Sequence, residues 1–251
     1  MPLPKAIAFD LDTTLAVSKS PVTSEMGALV ARLLELVPVA IMSGAKFGQF
    51  ETQVLPSFAP NTNFGNLYLF PVCAGYCYHF ENGAWKLVDD NSLTAEEKAM
   101  VMHALHEAMA ETGFTKPPAQ VWGERIEDRG ALIAFSGLGQ QAPWEAKKDW
   151  DPGKTKRRPL AEALIRRLPG FEIKMNAATT IDITKEGITK AYGVRTFSRL
   201  TGVAIPEMLY VGDALFPGGN DEVVIPTGIP TRETSGPPET TRIIEELLAG
   251  A

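Results

Sequence analysis

The amino-acid sequence predicts an α/β protein whose core is a doubly wound parallel sheet of the Rossmann-like type, with an α+β cap domain inserted into it. In the first third of the chain, apolar strands alternate with amphipathic helices, and the alternation resumes after Lys185. This order is typical of a parallel sheet covered by helices. The middle of the chain instead contains a hairpin pattern and further strands around two helices. We therefore expect a discontinuous core over residues 1–82 and 186–251 and a cap over 83–185.

The elements of the core follow from apolar periodicity. Thr23 is a suitable N-cap for the first helix, and Pro38 ends that helix because proline cannot continue it. The apolar runs predict core strands over residues 5–9, 39–42, 67–70 and 208–213. Helical spacing predicts core helices over residues 23–37, 189–201 and 238–248.

The cap has its own local signals. Asn82 and Gly83 form a dipeptide typical of a tight hairpin turn, and Thr94 with Glu97 forms a capping box at the start of a helix. Further cap elements are predicted as strands over 131–137, 171–175 and 179–184 and a helix over 159–168.

Composition excludes several classes of protein. The chain has 251 residues, of which 45% are hydrophobic and 22% charged, and its formal net charge is -6. An acidic balance is atypical of a nucleic-acid binder, and no apolar run is long enough for a membrane span. Cys73 and Cys77 lie in an apolar, strand-like stretch, so we expect buried free thiols. We predict a cytoplasmic protein with no nucleic-acid or membrane partner.

Acidic residues follow two of the predicted strands. Asp10 and Asp12 come directly after the first strand, and Asp213 and Asp221 flank a glycine-rich loop after another. Parallel strands place their carboxyl ends at one edge of a sheet, where ligands bind. Carboxylates this close are costly unless a cation offsets them, and Mg²⁺ prefers carboxylates together with phosphate oxygens. The pattern favours Mg²⁺-dependent phosphoryl transfer, in which one carboxylate attacks phosphorus and another handles the proton.

Two other residues suit the same chemistry. Ser43 follows the second strand, and its hydroxyl can donate a hydrogen bond to a phosphoryl oxygen. Lys190 lies at the start of a predicted helix and can neutralise both a nucleophilic carboxylate and a phosphate. Each signal is weak alone, because Ser-Gly turns and surface lysines are common.

The order D-x-D, Ser, Lys and GD…GGND resembles the haloacid dehalogenase superfamily of phosphohydrolases and phosphomutases. The insertion between the Ser and Lys signals is similar to that of the branch with an α+β cap. The segments RGALIAFSGLGQ, LFPGGNDEVV and TSGPPETTRIIEELL resemble those of eukaryotic-type phosphomannomutases. The resemblance is patchy but extends from Asp10 to Leu248.

This resemblance implies a role for each core residue. Asp10 is the nucleophile that becomes an aspartyl phosphate, and Asp12 is the general acid/base, whose main-chain carbonyl also contacts Mg²⁺. Ser43 and Lys190 hold the transferring phosphoryl group. Besides Asp10 and Asp12, the implied metal site contains Asp213, which binds directly, and its supporting residues Asn220 and Asp221.

The resemblance also implies a sugar-phosphate site in the cap and a homodimer formed through the cap. Arg129 matches an arginine that grips the non-reacting phosphate, and Thr180 and Asp182 match a Ser/Asp pair that contacts the sugar. Two further phosphate-gripping arginines of the family correspond here to Gln140 and Lys147. Gln has no charge, and Lys lacks the bidentate fork of Arg.

These substitutions leave two activities open on a phosphorylated sugar, a hexose-phosphate mutase and a plain phosphatase. A third alternative is a catalytically silent protein that binds sugar phosphates. The family also has glycine where this chain has Thr13, a change that affects the shape of the loop between Asp12 and Thr14.

Overall fold

The computed structural model describes residues 3–18 and 20–251. The strands are β1 (Ala6–Asp10), β2 (Val39–Met42), β3 (Leu67–Phe70), β4 (Tyr76–Glu81), β5 (Ala84–Asp90), β6 (Ile126–Asp128), β7 (Leu132–Ser136), β8 (Phe171–Lys174), β9 (Thr180–Lys185), β10 (Met208–Gly212) and β11 (Thr231–Glu233). The α-helices are α1 (Ser24–Leu34), α2 (Phe47–Gln53), α3 (Ala95–Thr112), α4 (Trp144–Lys147), α5 (Arg158–Arg167), α6 (Lys190–Thr201) and α7 (Pro237–Ala249). Short 3-10 helices span Leu55–Ser57, Phe64–Asn66, Ile205–Glu207 and Glu222–Thr227. Within the described part of the chain, no helix has both the length and the apolar character to cross a bilayer.

The chain divides into two compact units. The first comprises Met1–Asp90 and Thr189–Ala251, and the second comprises Asn91–Ile188. The first unit contains a seven-stranded sheet in the order β11-β10-β1-β2-β3-β4-β5. Strands β11 to β3 in that order pair in parallel, and β4 and β5 pair antiparallel at one edge.

Helices cover both faces of the first sheet. Alternate residues of each central strand point to opposite faces, as the pleat requires. Ile7 and Phe9 of β1 pack with α1 and α7 on one face, and Ala6 and Ala8 pack with α6 on the other. The doubly wound core predicted from the alternation of strands and helices is therefore confirmed.

Two local predictions of the first unit are confirmed. Thr23 caps α1 by accepting a hydrogen bond from the Met26 amide at 3.2 Å. Asn82 and Gly83 have φ values of 52° and 79° and form the turn between β4 and β5. Such a turn requires positive φ at both central residues, which Asn-Gly tolerates.

The division between the units differs from the predicted boundaries. The sequence predicted a cap over 83–185, but β5 pairs with β4 along the edge of the first sheet. The first unit therefore extends to Asp90, and the second unit extends to Ile188. The physical reason is that the strand after the Asn82-Gly83 turn completes the first sheet and does not begin a new domain.

The prediction of a strand-like stretch around the two cysteines was partly wrong. Val72, Cys73 and Ala74 have φ values of 57°, 56° and 65°, so the chain turns in the left-handed region before β4 begins. The turn is held to the segment after β2 by hydrogen bonds from the Val72 amide to the Ala45 carbonyl and from the Cys73 amide to the Ser43 carbonyl, both 2.9 Å long. Both cysteines are free thiols, as predicted, but only Cys77 is buried, whereas Cys73 is half-buried.

The second unit is an antiparallel sheet with helices on one face. Its strand order is β6-β7-β9-β8. Ile133 and Phe135 of β7 and Ile181 and Ile183 of β9 pack against α3 and α5. The predicted capping box is present at the start of α3, where Thr94 and Glu97 exchange hydrogen bonds. The alternate residues of β7 and β9 face away from these helices, and Asp182 is among them.

Candidate active site

The predicted core residues lie at the carboxyl ends of neighbouring parallel strands. Strand β1 lies between β2 and β10, with Asp10 in register with Met42 and Phe9 in register with Val211. The chain leaves the two flanking strands at Ser43 and Asp213. From β1 the sheet continues through β2 and β3 on one side and through β10 and β11 on the other. The order of strands therefore reverses at β1, and this edge is the topological switch point of the sheet.

Lys190 joins two carboxylates inside the first unit. It is the first residue of α6 and is only 4% exposed. Its Nζ lies 2.5 Å from Asp10 Oδ1 and 2.5 Å from Asp221 Oδ1. Asp10 and Asp221 are 3% and 0% exposed, so all three charges are removed from bulk water. Buried charges persist only when they are paired, and this ammonium group pairs with both carboxylates.

Asp213 completes a group of three acidic side chains. One carboxylate oxygen from each of Asp10, Asp213 and Asp221 lies within 4.8 Å of the other two. These residues come from the ends of β1 and β10 and from the glycine-rich loop. Asn220, which was predicted to support the same site, lies exposed on that loop.

Asp12 and Ser43 lie beside this group at the same edge. Ser43 Oγ donates a hydrogen bond to Asp12 Oδ2 at 3.4 Å and accepts one from the Ala45 amide at 3.1 Å. The serine hydroxyl is 1% exposed, and Asp12 is half-buried. The two side chains are thus held together by contacts from separate strand ends.

Tyr210 belongs to the site, although sequence reasoning missed it. Its hydroxyl donates a hydrogen bond to Asp221 Oδ1 at 2.6 Å, and the ring is completely buried. Tyr210 lies in β10 two residues before Gly212, so the two face the same side of the sheet. A tyrosine in an otherwise apolar strand was the available signal, because a buried hydroxyl needs a partner.

The electrostatics of the buried groups reflect an excess of negative charge. Burial raises the pKa of Asp10 to about 7; the charge of Lys190 opposes this, and Asp221 and Asp213 add to it. Burial, together with Asp221, also raises the pKa of Asp213. Although burial alone would lower it, the pKa of Lys190 is raised because Asp10 and other acidic neighbours favour the charged ammonium.

The donor set fits a divalent cation. When all are ionised, Asp10, Asp213 and Asp221 carry three negative charges, and Lys190 carries one positive charge. A cation of charge two would balance this group, and carboxylate oxygens are the ligands that Mg²⁺ prefers.

The second unit contains a separate polar cluster around Arg129. Arg129 Nε donates to Glu127 Oε2 at 2.8 Å, and its Nη2 donates to Gln140 Oε1 at 3.2 Å. The side-chain amide of Gln140 is also held within the second unit, because its Nε2 donates to the Ala134 carbonyl at 3.3 Å. Lys147, the other residue predicted to contact phosphate, lies buried at the end of α4.

Asp182 and Thr180 lie on the same strand, β9, and share Asn176 as a neighbour. Asn176 Nδ2 donates to Asp182 Oδ2 at 2.9 Å, and Thr180 Oγ1 donates to the Asn176 carbonyl at 2.6 Å. Asp182 Oδ1 is buried and accepts no hydrogen bond within the described residues. Burial raises the pKa of Asp182, opposed by the hydrogen bond from Asn176 and the charge of Arg129.

A buried ion pair fixes the loop that carries Asn176. Arg157 is fully buried, and its Nε donates to Asp151 Oδ2 at 2.8 Å. Its Nη1 donates to the carbonyls of Asn176, Ala177 and Thr180 at 3.1, 3.3 and 2.6 Å. The guanidinium group of Arg157 therefore fixes the loop whose Asn176 side chain donates the hydrogen bond to Asp182.

Known proteins resemble the chain over nearly its full length. No family model matches it. A phosphomannomutase of Spinacia oleracea is 25% identical over 247 residues, which cover 93% of this chain and 91% of that protein. The structure of a C-terminally truncated IMP-nucleotidase of Plasmodium falciparum has a TM-score of 0.69 at 14% identity and covers 100% of this chain and 72% of that chain. A haloacid dehalogenase-like hydrolase from Bacteroides thetaiotaomicron has a TM-score of 0.62 at 17% identity and covers 97% of this chain and 99% of that chain.

Proposed function

We propose that this chain, which is similar to phosphomannomutases and to a haloacid dehalogenase-like hydrolase, transfers the phosphoryl group of a sugar phosphate through an aspartyl phosphate on Asp10. The observation that carries the proposal is the convergence of Asp10 with Lys190, Asp213 and Asp221 at the switch point of the sheet. A buried carboxylate in contact with an ammonium group and near two further carboxylates is suited to accept a phosphoryl group in the presence of a cation.

In the first half-reaction, one carboxylate oxygen of Asp10 attacks phosphorus. The new bond joins phosphorus to that oxygen, and the bond from phosphorus to the sugar oxygen breaks. Asp12 donates a proton to the departing sugar oxygen, so the sugar leaves as an alcohol. Ser43 donates its single hydroxyl proton to Asp12 Oδ2 at 3.4 Å in the structure, and this O–H would turn to a phosphoryl oxygen when the substrate binds.

In the second half-reaction, Asp12 removes a proton from the acceptor as the acceptor oxygen attacks phosphorus. If the acceptor is water, inorganic phosphate forms; if it is a sugar hydroxyl, a new sugar phosphate forms. The bond from phosphorus to Asp10 breaks, and the carboxylate is regenerated beside Lys190.

Bound Mg²⁺ would neutralise the carboxylates and the phosphoryl oxygens in this site. Asp213 would hold it directly, together with a carboxylate oxygen of Asp10 and the main-chain carbonyl of Asp12, and Asn220 and Asp221 would support it.

The second unit provides groups suited to a sugar phosphate. Asp182 has a buried oxygen that receives no hydrogen bond from residues 3–18 and 20–251, and a sugar hydroxyl would satisfy it. Thr180 lies two residues away on β9. Arg129 is the cation proposed to bind a phosphate of the substrate. Its guanidinium is already held in place by Glu127 and Gln140, so its orientation is set before a ligand binds.

A plain phosphatase is the second candidate, and the contacts of Arg129 favour it. Glu127 places a carboxylate 2.8 Å from the guanidinium, and Gln140 brings no positive charge. A mutase must retain a second phosphate while its bisphosphate intermediate turns around. The ion pair with Glu127 offsets the charge of Arg129 and weakens its binding of that phosphate. A phosphatase needs no such retention.

The first experiment tests the nucleophile. Hydrolysis of p-nitrophenyl phosphate with Mg²⁺ should fall by at least about a thousandfold in Asp10→Asn, because an amide cannot act as the nucleophile. The matched control is Asp149→Asn, which makes the same chemical change at an exposed position of the second unit and should retain activity. Full activity in Asp10→Asn would show that Asp10 is not the nucleophile.

The second experiment separates the two activities. The enzyme is incubated with mannose 1-phosphate, with and without glucose 1,6-bisphosphate, and both isomer formation and phosphate release are measured. Isomer formation that depends on the bisphosphate supports the mutase, and phosphate release alone supports the phosphatase. Sugar-phosphate binding by calorimetry without either product would support a catalytically silent binding protein.

A further inference from the structure

The glycine-rich loop places Asp221 among three donors. Lys190 Nζ and the Tyr210 hydroxyl both donate to Asp221 Oδ1, at 2.5 and 2.6 Å. The Ala214 amide donates to Asp221 Oδ2 at 3.1 Å. Both oxygens of this completely buried carboxylate are therefore occupied by groups of the protein. A carboxylate that accepts three hydrogen bonds fixes the positions of its donors.

The surroundings leave Asp221 little freedom. A Cβ atom built on Gly212 would lie 2.5 Å from Asp221 Oδ2 and 2.8 Å from the Tyr210 ring. With a side chain at position 212, the Asp221 carboxylate and the Tyr210 ring would both have to move. The glycine before Asp213 is thus needed so that the carboxylate and the aromatic ring can both pack against β10.

Lys190 depends on this arrangement for its position. Its ammonium group bridges Asp221 and Asp10, with 2.5 Å to each. A lysine side chain has four rotatable bonds and no rigid fork, so the carboxylates at its tip determine where the charge lies. Tyr210 donates to the same oxygen of Asp221 as Lys190 does. It therefore fixes the position of the carboxylate that holds the lysine ammonium beside Asp10.

We propose that Tyr210 is a positioning residue of the active site, whose hydroxyl orients Asp221 so that Lys190 is held against Asp10. This inference rests on the proposed function, in which Lys190 stabilises the phosphoryl group during its transfer to Asp10. It follows that Asp221 acts on catalysis mainly through Lys190 and Tyr210, while Asp213 provides the direct contact with the cation.

The test compares Tyr210→Phe with Tyr192→Phe. Tyr192 is the matched control, because its hydroxyl also donates to a carboxylate of the first unit, Asp89 Oδ2, at 2.8 Å. With p-nitrophenyl phosphate and saturating Mg²⁺, we expect Tyr210→Phe to lower kcat by about tenfold and to change KM by less than about twofold, because a hydrogen bond to a charged group is lost while substrate contacts remain. Tyr192→Phe should leave both constants unchanged.

A binding measurement separates positioning from a general loss of structure. Beryllium fluoride, a mimic of a phosphoryl group on a carboxylate, is titrated into the Mg²⁺-loaded enzyme by calorimetry. We expect Tyr210→Phe to bind it about tenfold more weakly, because Lys190 is no longer held in place. The affinity for Mg²⁺ itself, measured in the same way, should change by less than about twofold, because no direct ligand is removed.

The double variant tests whether Tyr210 acts through Asp221. If it does, Tyr210→Phe combined with Asp221→Asn should have the same kcat as Asp221→Asn alone, because the effects of residues in one network are not additive. Independent, multiplying effects would overturn the inference. So would an unchanged kcat in Tyr210→Phe while the wild type is active. A wild type that hydrolyses no phosphate ester with Mg²⁺ would instead overturn the proposed function, and the inference with it.

Discussion

Thr13 adopts a backbone conformation that threonine rarely takes. Its φ is 62°, in the left-handed region, and its amide donates to the Ala16 carbonyl at 2.7 Å. A β-branched side chain is strained there, whereas glycine is not. The left-handed backbone gives glycine a physical advantage at this position, and this chain keeps the loop shape between Asp12 and Thr14 at a cost in stability.

Replacing Thr13 with glycine should relieve this strain. We expect Thr13→Gly to raise the free energy of unfolding by about 1 kcal/mol, because a non-glycine residue in this region costs on the order of 1–3 kcal/mol and part of the gain is lost to the flexibility of the unfolded chain. Urea denaturation measures the change. Thr13→Ala is the control, since alanine keeps the strain, and an equal gain in that variant would refute the explanation.

Asp182 should make the stability of the protein depend on pH. Burial raises its pKa, so at pH values just above 3.8 the folded protein binds a proton that the unfolded chain has released. The contribution of Asp182 to the free energy of unfolding is therefore largest at low pH and decreases as pH rises through the elevated pKa. Subtracting the urea-unfolding free energy of Asp182→Asn from that of the wild type, pH by pH, isolates this effect. A difference that grows with pH would contradict the assignment.

A buried ion pair holds the loop between β8 and β9. Asp151 is 3% exposed and Arg157 is 0% exposed, and the arginine also binds three carbonyl groups of the loop. Ala177, in the middle of the loop, has a φ of 43°, a strained value that the surrounding contacts maintain. The hydrogen bond from Asn176 to Asp182 depends on this loop.

Removing the arginine should therefore be costly. Arg157→Met leaves Asp151 as an unpaired buried charge, and we expect the free energy of unfolding to fall by about 3–5 kcal/mol. Arg158→Met is the matched control, because Arg158 is exposed and its loss should change stability by less than about 0.5 kcal/mol. Adding Asp151→Asn to Arg157→Met should recover part of the loss. Equal effects of the two arginine substitutions in thermal denaturation would refute the role of the ion pair.

The first unit is assembled from two stretches of chain that meet at one group of charges. Asp10 comes from the first stretch, and Lys190, Asp213 and Asp221 come from the second. In the absence of a cation, the excess of carboxylates opposes folding of this unit, since like charges are brought together in a buried place. Binding of a cation that recognises only the folded arrangement should therefore stabilise the protein.

Magnesium should raise the midpoint of thermal unfolding. At a concentration one hundred times the dissociation constant, a ligand that binds only the folded state contributes about 2.7 kcal/mol. We expect most of this gain to be lost in Asp213→Asn, because that residue is proposed as the direct ligand. Sodium chloride at equal ionic strength is the control for screening. A similar gain with sodium chloride, or an undiminished gain in Asp213→Asn, would contradict the proposed site.

Much of the fold was predictable because the relevant information is local. The apolar run before Asp10, the cap at Thr23 and the turn at Asn82-Gly83 each depend on a few adjacent residues, and all three occur in the structure as predicted. The positions of Asp10, Ser43 and Asp213 at strand ends followed from the alternation of strands and helices, because parallel strands carry their carboxyl ends to one edge. The sequence did not predict which of the two sheets β5 joins, since the second strand of a hairpin can pair within either sheet.

The amino-acid order thus indicated which groups of the chain are suited to the proposed chemistry, because residue types and their spacing along strands and helices are properties of the chain itself. The folded structure determined which side chains are in contact, including side chains that the sequence did not single out. Tyr210 reaches Asp221, and Arg157 reaches the loop of Asn176, across separations along the chain that no local pattern encodes. Such contacts arise from the packing of distant segments, where a buried donor must find an acceptor or remain unsatisfied.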